Sequence, residues 1–216
     1  MKALLIGATG ATGQDLLPLL LADSAFERVD VFVRRAPALQ HDKLHVHIVD
    51  FADVASWRGK VQGDVLFSCL GTTLKAAGSQ DAQWQVDYQA QYDVAQAARQ
   101  NGAGALVLVS AAQADPQARF FYPRMKGQLE ADVTALGFAG LAIFRPPFLE
   151  RTGSDRTGET LGISIIKSLN KLGLLQSQRP LSTQKLAQAL LKVGKAVPDG
   201  VRIYEPRDIF DLLESY

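Results

Sequence analysis

Cysteine occurs once in the 216 residues, as Cys69, so no disulfide forms within the chain. Charge of one sign is also missing: 23 basic against 22 acidic side chains leave a formal net charge of +1. Bulk electrostatics therefore draw the chain neither to nucleic acid nor to an anionic membrane, and either partner would need a local patch. No segment reaches about 18 uninterrupted apolar residues, the length that spans a bilayer, so stable membrane insertion is not expected. The first 22 residues are apolar but carry three glycines and Asp15, with neither a basic leader nor a small-residue cleavage site, which argues against a signal peptide. A cytoplasmic protein is the expectation. Histidine is scarce too: His41, His45 and His47 have no further cysteine or close carboxylate pair to complete a ligand set, and no metal is expected. Internal repeats and low-complexity tracts are absent.

The chain does have hydrophobic residues in ordinary globular measure, 47%, and a length suited to one domain. Apolar runs rich in Val, Ile, Leu and Phe recur at 3–7, 29–34, 45–50, 64–69, 104–110 and 139–145, with helical patterns between most of them. Near-continuous apolar strands alternating with helices predict a parallel sheet covered on both faces, since each parallel connection needs a crossover. The fold class is α/β, doubly wound. In "DAQWQVDYQAQYDVAQAARQNG" Val86, Ala90, Val94 and Ala97 share one helical face, and Asn101-Gly102 supplies a stop. From about residue 146 to 216 the rhythm changes to a polar loop containing Arg151, Gly153, Arg156 and Gly158, where a lid over the site is one reading and an exposed connection another. After it come an apolar segment from Leu161 to Leu175, which suits a dimer face or core, a helix over 183–194 capped by Ser182 or Thr183, and a strand "VRIYE". This reads as a small C-terminal extension of a single domain.

"LLIGATGATGQDLL" places Gly7, Gly10 and Gly13 between the first strand and a helical pattern. Such spacing lets the chain turn tightly, brings the backbone close to a pyrophosphate and aims unpaired helix N–H groups at it. About 20 residues on, where NAD-preferring folds place an acidic side chain on the ribose hydroxyls, the chain carries Arg34 and Arg35 instead. Fixed cations with forked donors suit a 2′-phosphate, which favours NADP(H). Asp30 lies inside the strand, too early to take the carboxylate's place. Asp50 and Phe51 end the third strand, placed to bond and flank an adenine, although Asp50 equally suits a helix cap. Leu70 and Gly71 end the fourth, Gly71 permitting close backbone approach.

"VLVSAAQADPQARFFYPRMKGQLEADV" carries the reactive groups. Tyr122 and Lys126 are four apart, on one face of a helix, and Ser110 ends the preceding strand. An adjacent ammonium favours a phenolate, so Tyr122 is expected to pass a proton near neutrality while Ser110 holds the substrate oxygen and Lys126 binds the nicotinamide ribose. Cys69 reads as a small buried side chain.

This set, with the wording "GATGATG", "FSCLGTT", "VDYQAQYDVAQAA", "FFYPRMKGQLEADV" and "IFRPPFL", resembles the short-chain dehydrogenase/reductase superfamily, in its atypical branch containing the Tat-interacting protein, relatives of the sugar-nucleotide epimerases. The resemblance runs from residue 3 to about 190. It implies a Rossmann fold, bound NADP(H), cofactor-side roles for Thr9, Ala11 and Thr12, and a nicotinamide-side role for the backbone near Arg145 and Pro146. Where such proteins often show paired serines after the fifth strand, this chain reads "SAAQA"; a Ser110 turned into the core would lose oxygen positioning. The C-terminal part is short for a nucleotide-sugar lobe. Two function classes follow: an NADP(H)-dependent oxidoreductase acting on a small carbonyl or alcohol, and an NADPH-binding sensor that presents a surface to a partner. The chain is expected to be a monomer or homodimer.

Overall fold

The computed structural model describes residues 1–150 and 180–214. The lid reading at Arg151 to Gly158 and the apolar segment from Leu161 to Leu175 lie outside the described residues.

Seven parallel strands form the central sheet: β1 (Lys2–Ile6), β2 (Arg28–Val33), β3 (Leu44–Ile48), β4 (Val65–Ser68), β5 (Ala105–Val109), β6 (Gly140–Phe144) and, near the C-terminus, β9 (Gly200–Tyr204). Their spatial order is β3-β2-β1-β4-β5-β6-β9, and Leu149–Glu150 (β7) pairs with Leu181–Ser182 (β8) as a separate parallel ladder. Strands β1, β4 and β6 are almost wholly buried because helices cover both faces, which is why they read as unbroken apolar runs. The strand order reverses between β1 and β4, and a doubly wound sheet opens its crevice there, beyond the carboxyl ends of the strands.

One face is covered by α1 (Gly13–Ala22) and α7 (Thr183–Gly194), whose Leu16, Leu20, Leu186 and Leu190 pack with Val29, Val31 and Phe67. Ser182 caps α7, its hydroxyl accepting the Lys185 N–H, and Thr183 donates to Asp15 of α1 at 2.6 Å. The residues after 180 are thus woven into the domain: they supply a covering helix, the seventh strand and a last helix α8 (Pro206–Glu214). The other face is covered by α5 (Ala90–Gln100) and α6 (Phe121–Ala135), with Trp57 from the short helix α2 (Val54–Trp57). The helices α3 (Leu74–Ala77) and α4 (Gln80–Trp84) lead toward α5, and between α4 and α5 lies a π-helical segment, Gln85–Gln89. One continuous amphipathic helix was expected there; the wider turn leaves Ala90, Val94 and Ala97 buried but Val86 only half-buried, and puts Asp87 wholly inside.

Among the described residues no three His, Cys, Asp or Glu side chains come together to hold a metal. His47 instead stacks on Phe32 and meets Asp30 at 2.6 Å, and Cys69 is buried, its thiol pushed up to about 12 by burial. Nor is any helix among the described residues long and apolar enough to cross a membrane.

Candidate functional site

The glycine turn leaves β1 with Gly7 at φ +81°, a left-handed conformation that L side chains rarely adopt. A Cβ there would also meet the Cys69 carbonyl oxygen, and a Cβ on Gly13 would meet the Gly7 carbonyl oxygen, so both positions require glycine for space. The turn closes with the Gly10 N–H donating to the Gly7 carbonyl at 2.8 Å, and α1 begins directly behind it, the Gln14 N–H donating to the Gly10 carbonyl at 3.0 Å. Gly10, Ala11 and Thr12 form one wall of a cavity of about 650 Å³ at the carboxyl ends of the strands. Leu70 lines that cavity and also a second one of about 360 Å³, whose other walls include Arg34, Asp50 and Phe51. A cradle too tight for any Cβ, a helix N-terminus, and a second cavity with an aromatic ring and a cation fit an extended phosphate-bearing dinucleotide.

Placement of the other predicted cofactor residues is mixed. Gly71 lines the large cavity, Thr9 is exposed and outside both, and Arg35 is exposed beside Arg34 without reaching the smaller cavity. Asp50 lines the smaller cavity while its carboxylate accepts the Ala52 N–H at 3.0 Å, so both readings of it describe the same side chain. Asp30 is buried in β2, held by Arg28 at 2.6 and 2.9 Å and by His47, and serves the sheet.

Ser110, Tyr122 and Lys126 all line the large cavity, Ser110 from the end of β5 and the other two from α6. Their electrostatics differ from the sequence expectation. Lys126 is 2% exposed and its Nζ lies 3.4 Å from Oδ1 of the fully buried Asp87. Burial lowers the Lys126 ammonium and raises the Asp87 carboxyl, while their mutual attraction opposes both shifts. The cation intended for the phenol is therefore largely spent on Asp87. Burial around its hydroxyl and then the Asp87 charge push the Tyr122 phenol up to about 12, away from the phenolate, although 40% of the residue's surface is exposed.

Ser110 faces the cavity wall but donates its one proton to Glu130 Oε1 at 2.5 Å. Its lone pairs are left to accept; its donor is committed. Glu130 is in turn gripped by Arg145, at 3.1 and 2.6 Å, and Arg145 also reaches Glu205 at 2.8 Å. The Arg145 side chain is thus a clamp between α6 and the segment after β9, while Pro146 lines the cavity.

Two functional groups were missed from sequence, Asp87 and Glu130. Asp87 accepts the Thr72 N–H at 2.9 Å, Gln83 donates to the Thr72 carbonyl, and Gln91 links the Asp87 carbonyl to Ser68. This network fixes the loop after β4 against the cavity. Its signal was present: Gln83, Asp87 and Gln91 recur every four residues beside the apolar stripe, as Tyr122, Lys126 and Glu130 do on α6.

Residues 7–139 match a family model described as NAD(P)H-binding. The chain is 31% identical to Protein FMP52-1, mitochondrial, of Scheffersomyces stipitis, covering 100% of both chains. It is 35% identical to Protein FMP52, mitochondrial, of Saccharomyces cerevisiae, covering 100% of this chain and 97% of that one. Among solved structures it is similar to Bordetella bronchiseptica WbmH in complex with NAD+, with TM-score 0.70 and 18% identity over 94% of this chain and 75% of that chain, a likeness of fold. The relatives' mitochondrial names overturn the cytoplasmic expectation, which rested on the lack of a recognisable leader. Matched in the segment that builds the glycine cradle, the smaller cavity and most of the larger one, and aligned from end to end with the Scheffersomyces stipitis protein, the chain belongs to the NAD(P)H-binding family of Rossmann proteins.

Proposed function

We propose that the protein is an NADP(H)-dependent oxidoreductase that reduces a small carbonyl compound, with Tyr122 as proton donor and Lys126 and Ser110 beside it, and that it acts in mitochondria, as its relatives' names suggest. The observation that carries this reading is the convergence of Ser110, Tyr122 and Lys126 on the cavity that Gly10, Ala11 and Thr12 of the glycine turn also line. A bound reduced nicotinamide supplies hydride. The chain's own residues do the rest. Gly10, Ala11 and Thr12 would cradle the phosphates, Asp50 and Phe51 would flank the adenine, and Arg34, with Arg35 next to it in the chain, would favour a 2′-phosphate over a free hydroxyl. A phenol protonated at neutral pH is suited to donate to a developing alkoxide, the role it takes in carbonyl reduction. Ser110, oriented by Glu130, offers a lone pair to the hydroxyl of the product alcohol.

One set of observations favours a second reading. A serine whose proton is committed to Glu130 and a lysine paired with Asp87 make a poor triad, as a sensor with little turnover would have. Tyr122→Phe separates the two. For an oxidoreductase, NADPH oxidation falls by about 100-fold or more while NADPH affinity is unchanged. Unchanged oxidation, or none in the parent protein on any carbonyl, would leave the sensor.

A further inference from the structure

Ala111, Ala112, Phe121, Pro147, Phe148 and Leu149 give the large cavity an apolar stretch of wall, beside uncharged polar groups at Thr72, Thr73, Gln80 and Gln83. Two of the apolar lining residues are also open to solvent, Phe148 at 46% and Leu74 at 48% exposure. The charges are as informative. Among the described residues that line the cavity, the charged side chains are Asp87 and Lys126, and they neutralise one another at 3.4 Å. The nearby Arg145 is occupied by Glu130 and Glu205, and Arg124 donates to the carbonyls of Ala118 and Arg119. A phosphate or carboxylate entering here would shed its hydration and meet no unpaired cation on the described wall. An alkyl or aryl group would exchange water for Phe, Pro and Leu side chains.

We propose that the substrate is an uncharged, predominantly apolar aldehyde or ketone, and that carboxylated and phosphorylated carbonyl compounds are rejected. The inference rests on the oxidoreductase reading. The carbonyl carbon takes a hydride from the reduced nicotinamide dinucleotide, the oxygen takes the Tyr122 proton, and solvent restores that proton. The carbonyl is reduced to an alcohol as the cofactor is oxidised. Because part of the volume lies against the glycine turn and is taken by the dinucleotide, the apolar group is a short alkyl chain or a single ring.

The test is NADPH oxidation by the full chain along the unbranched series from propanal to octanal, with 4-oxobutanoate as the charged counterpart of the short aldehydes. The inference expects kcat/KM to climb by up to about fourfold per methylene, the gain for moving one CH₂ out of water, until the cavity is full. It expects 4-oxobutanoate to be at least 10-fold poorer than butanal, because the described wall offers its carboxylate no unpaired cation. Phe148→Asp should flatten the climb while leaving NADPH affinity alone, and Phe148→Leu should largely keep it. A flat series, or a preference for 4-oxobutanoate, overturns the apolar substrate and leaves the oxidoreductase reading intact. Should no aldehyde turn over although NADPH binds, the oxidoreductase reading fails, and calorimetric titration of the NADP⁺-loaded protein with the matching alcohols tests the cavity directly. Affinity that rises with chain length then supports an apolar ligand, and no binding of any alcohol overturns it.

Discussion

Replacing Asp87 by asparagine keeps the shape of the side chain and removes the charge that faces Lys126. At 3.4 Å and an effective dielectric near 20, the lost attraction is about 5 kcal/mol. Breaking a buried pair by removing one partner costs about 3–5 kcal/mol in practice. That is a large part of the 5–15 kcal/mol by which domains are stable. The variant has one escape, which is to release the Lys126 proton. Burial already lowers the Lys126 ammonium, and without Asp87 nothing comparable opposes it. The folded variant then binds fewer protons than the unfolded chain, whose lysines titrate near pH 10.4, so its stability rises with pH up to about that value. Urea unfolding of the cofactor-free protein at pH 6 to 9 should therefore show the variant less stable at pH 6 and recovering toward pH 9, along a steeper slope than the parent. Adding Lys126→Met to Asp87→Asn should remove that slope. Coincident unfolding curves for parent and variant at every pH would refute the view that this pair is dry and mutually dependent.

Asp30→Asn probes the other buried carboxylate. Burial would raise the Asp30 carboxyl, but hydrogen bonds from Arg28 and His47 and the charges of Lys2 and Arg28 outweigh it and hold it below the usual carboxylate range. Its stabilisation is thus present above about pH 4 and lost as pH falls through the lowered value. The variant should lose about 3 kcal/mol at pH 7 and show a smaller drop in stability between pH 5 and 3; an equal drop in urea titrations counts against the assignment. The Arg34→Ala/Arg35→Ala double variant should weaken NADPH binding by about 10- to 150-fold and spare NADH, as read by calorimetry. Equal effects on the two cofactors would make these arginines a solvated strand end.

Much of the scaffold was open to reading from the chain alone. Parallel strands buried on both faces announce themselves as unbroken apolar runs, and the observed β1, β2, β4, β5 and β6 fall within a residue or two of their predicted limits, as does the mostly exposed edge strand β9. The helix over Thr183–Gly194 starts where its serine cap placed it. Ser110, Tyr122 and Lys126 were found because residue type and spacing carry them. What they do was harder to read, because charge state depends on partners remote in sequence. Nothing local to Lys126 tells that an aspartate from another helix neutralises it, and nothing local to Ser110 shows which way its proton points. The seventh strand's place beside β6 also depends on tertiary packing, which no local period encodes.

The π-helical segment at Gln85–Gln89 has a further consequence. A helix advances about 100° per residue, so a segment holding one residue more than the regular turn offsets everything before it relative to everything after. Loss of a single residue between Gln85 and Gln89 would relax the backbone into an ordinary helix, yet it would swing Asp87 away from Lys126 or turn Ala90 and Val94 out of the core. The site is therefore specified partly by arithmetic: residue count, independent of chemical identity, decides whether the carboxylate faces the lysine. A screen of one-residue deletions would find this stretch intolerant even where each individual side chain can be exchanged.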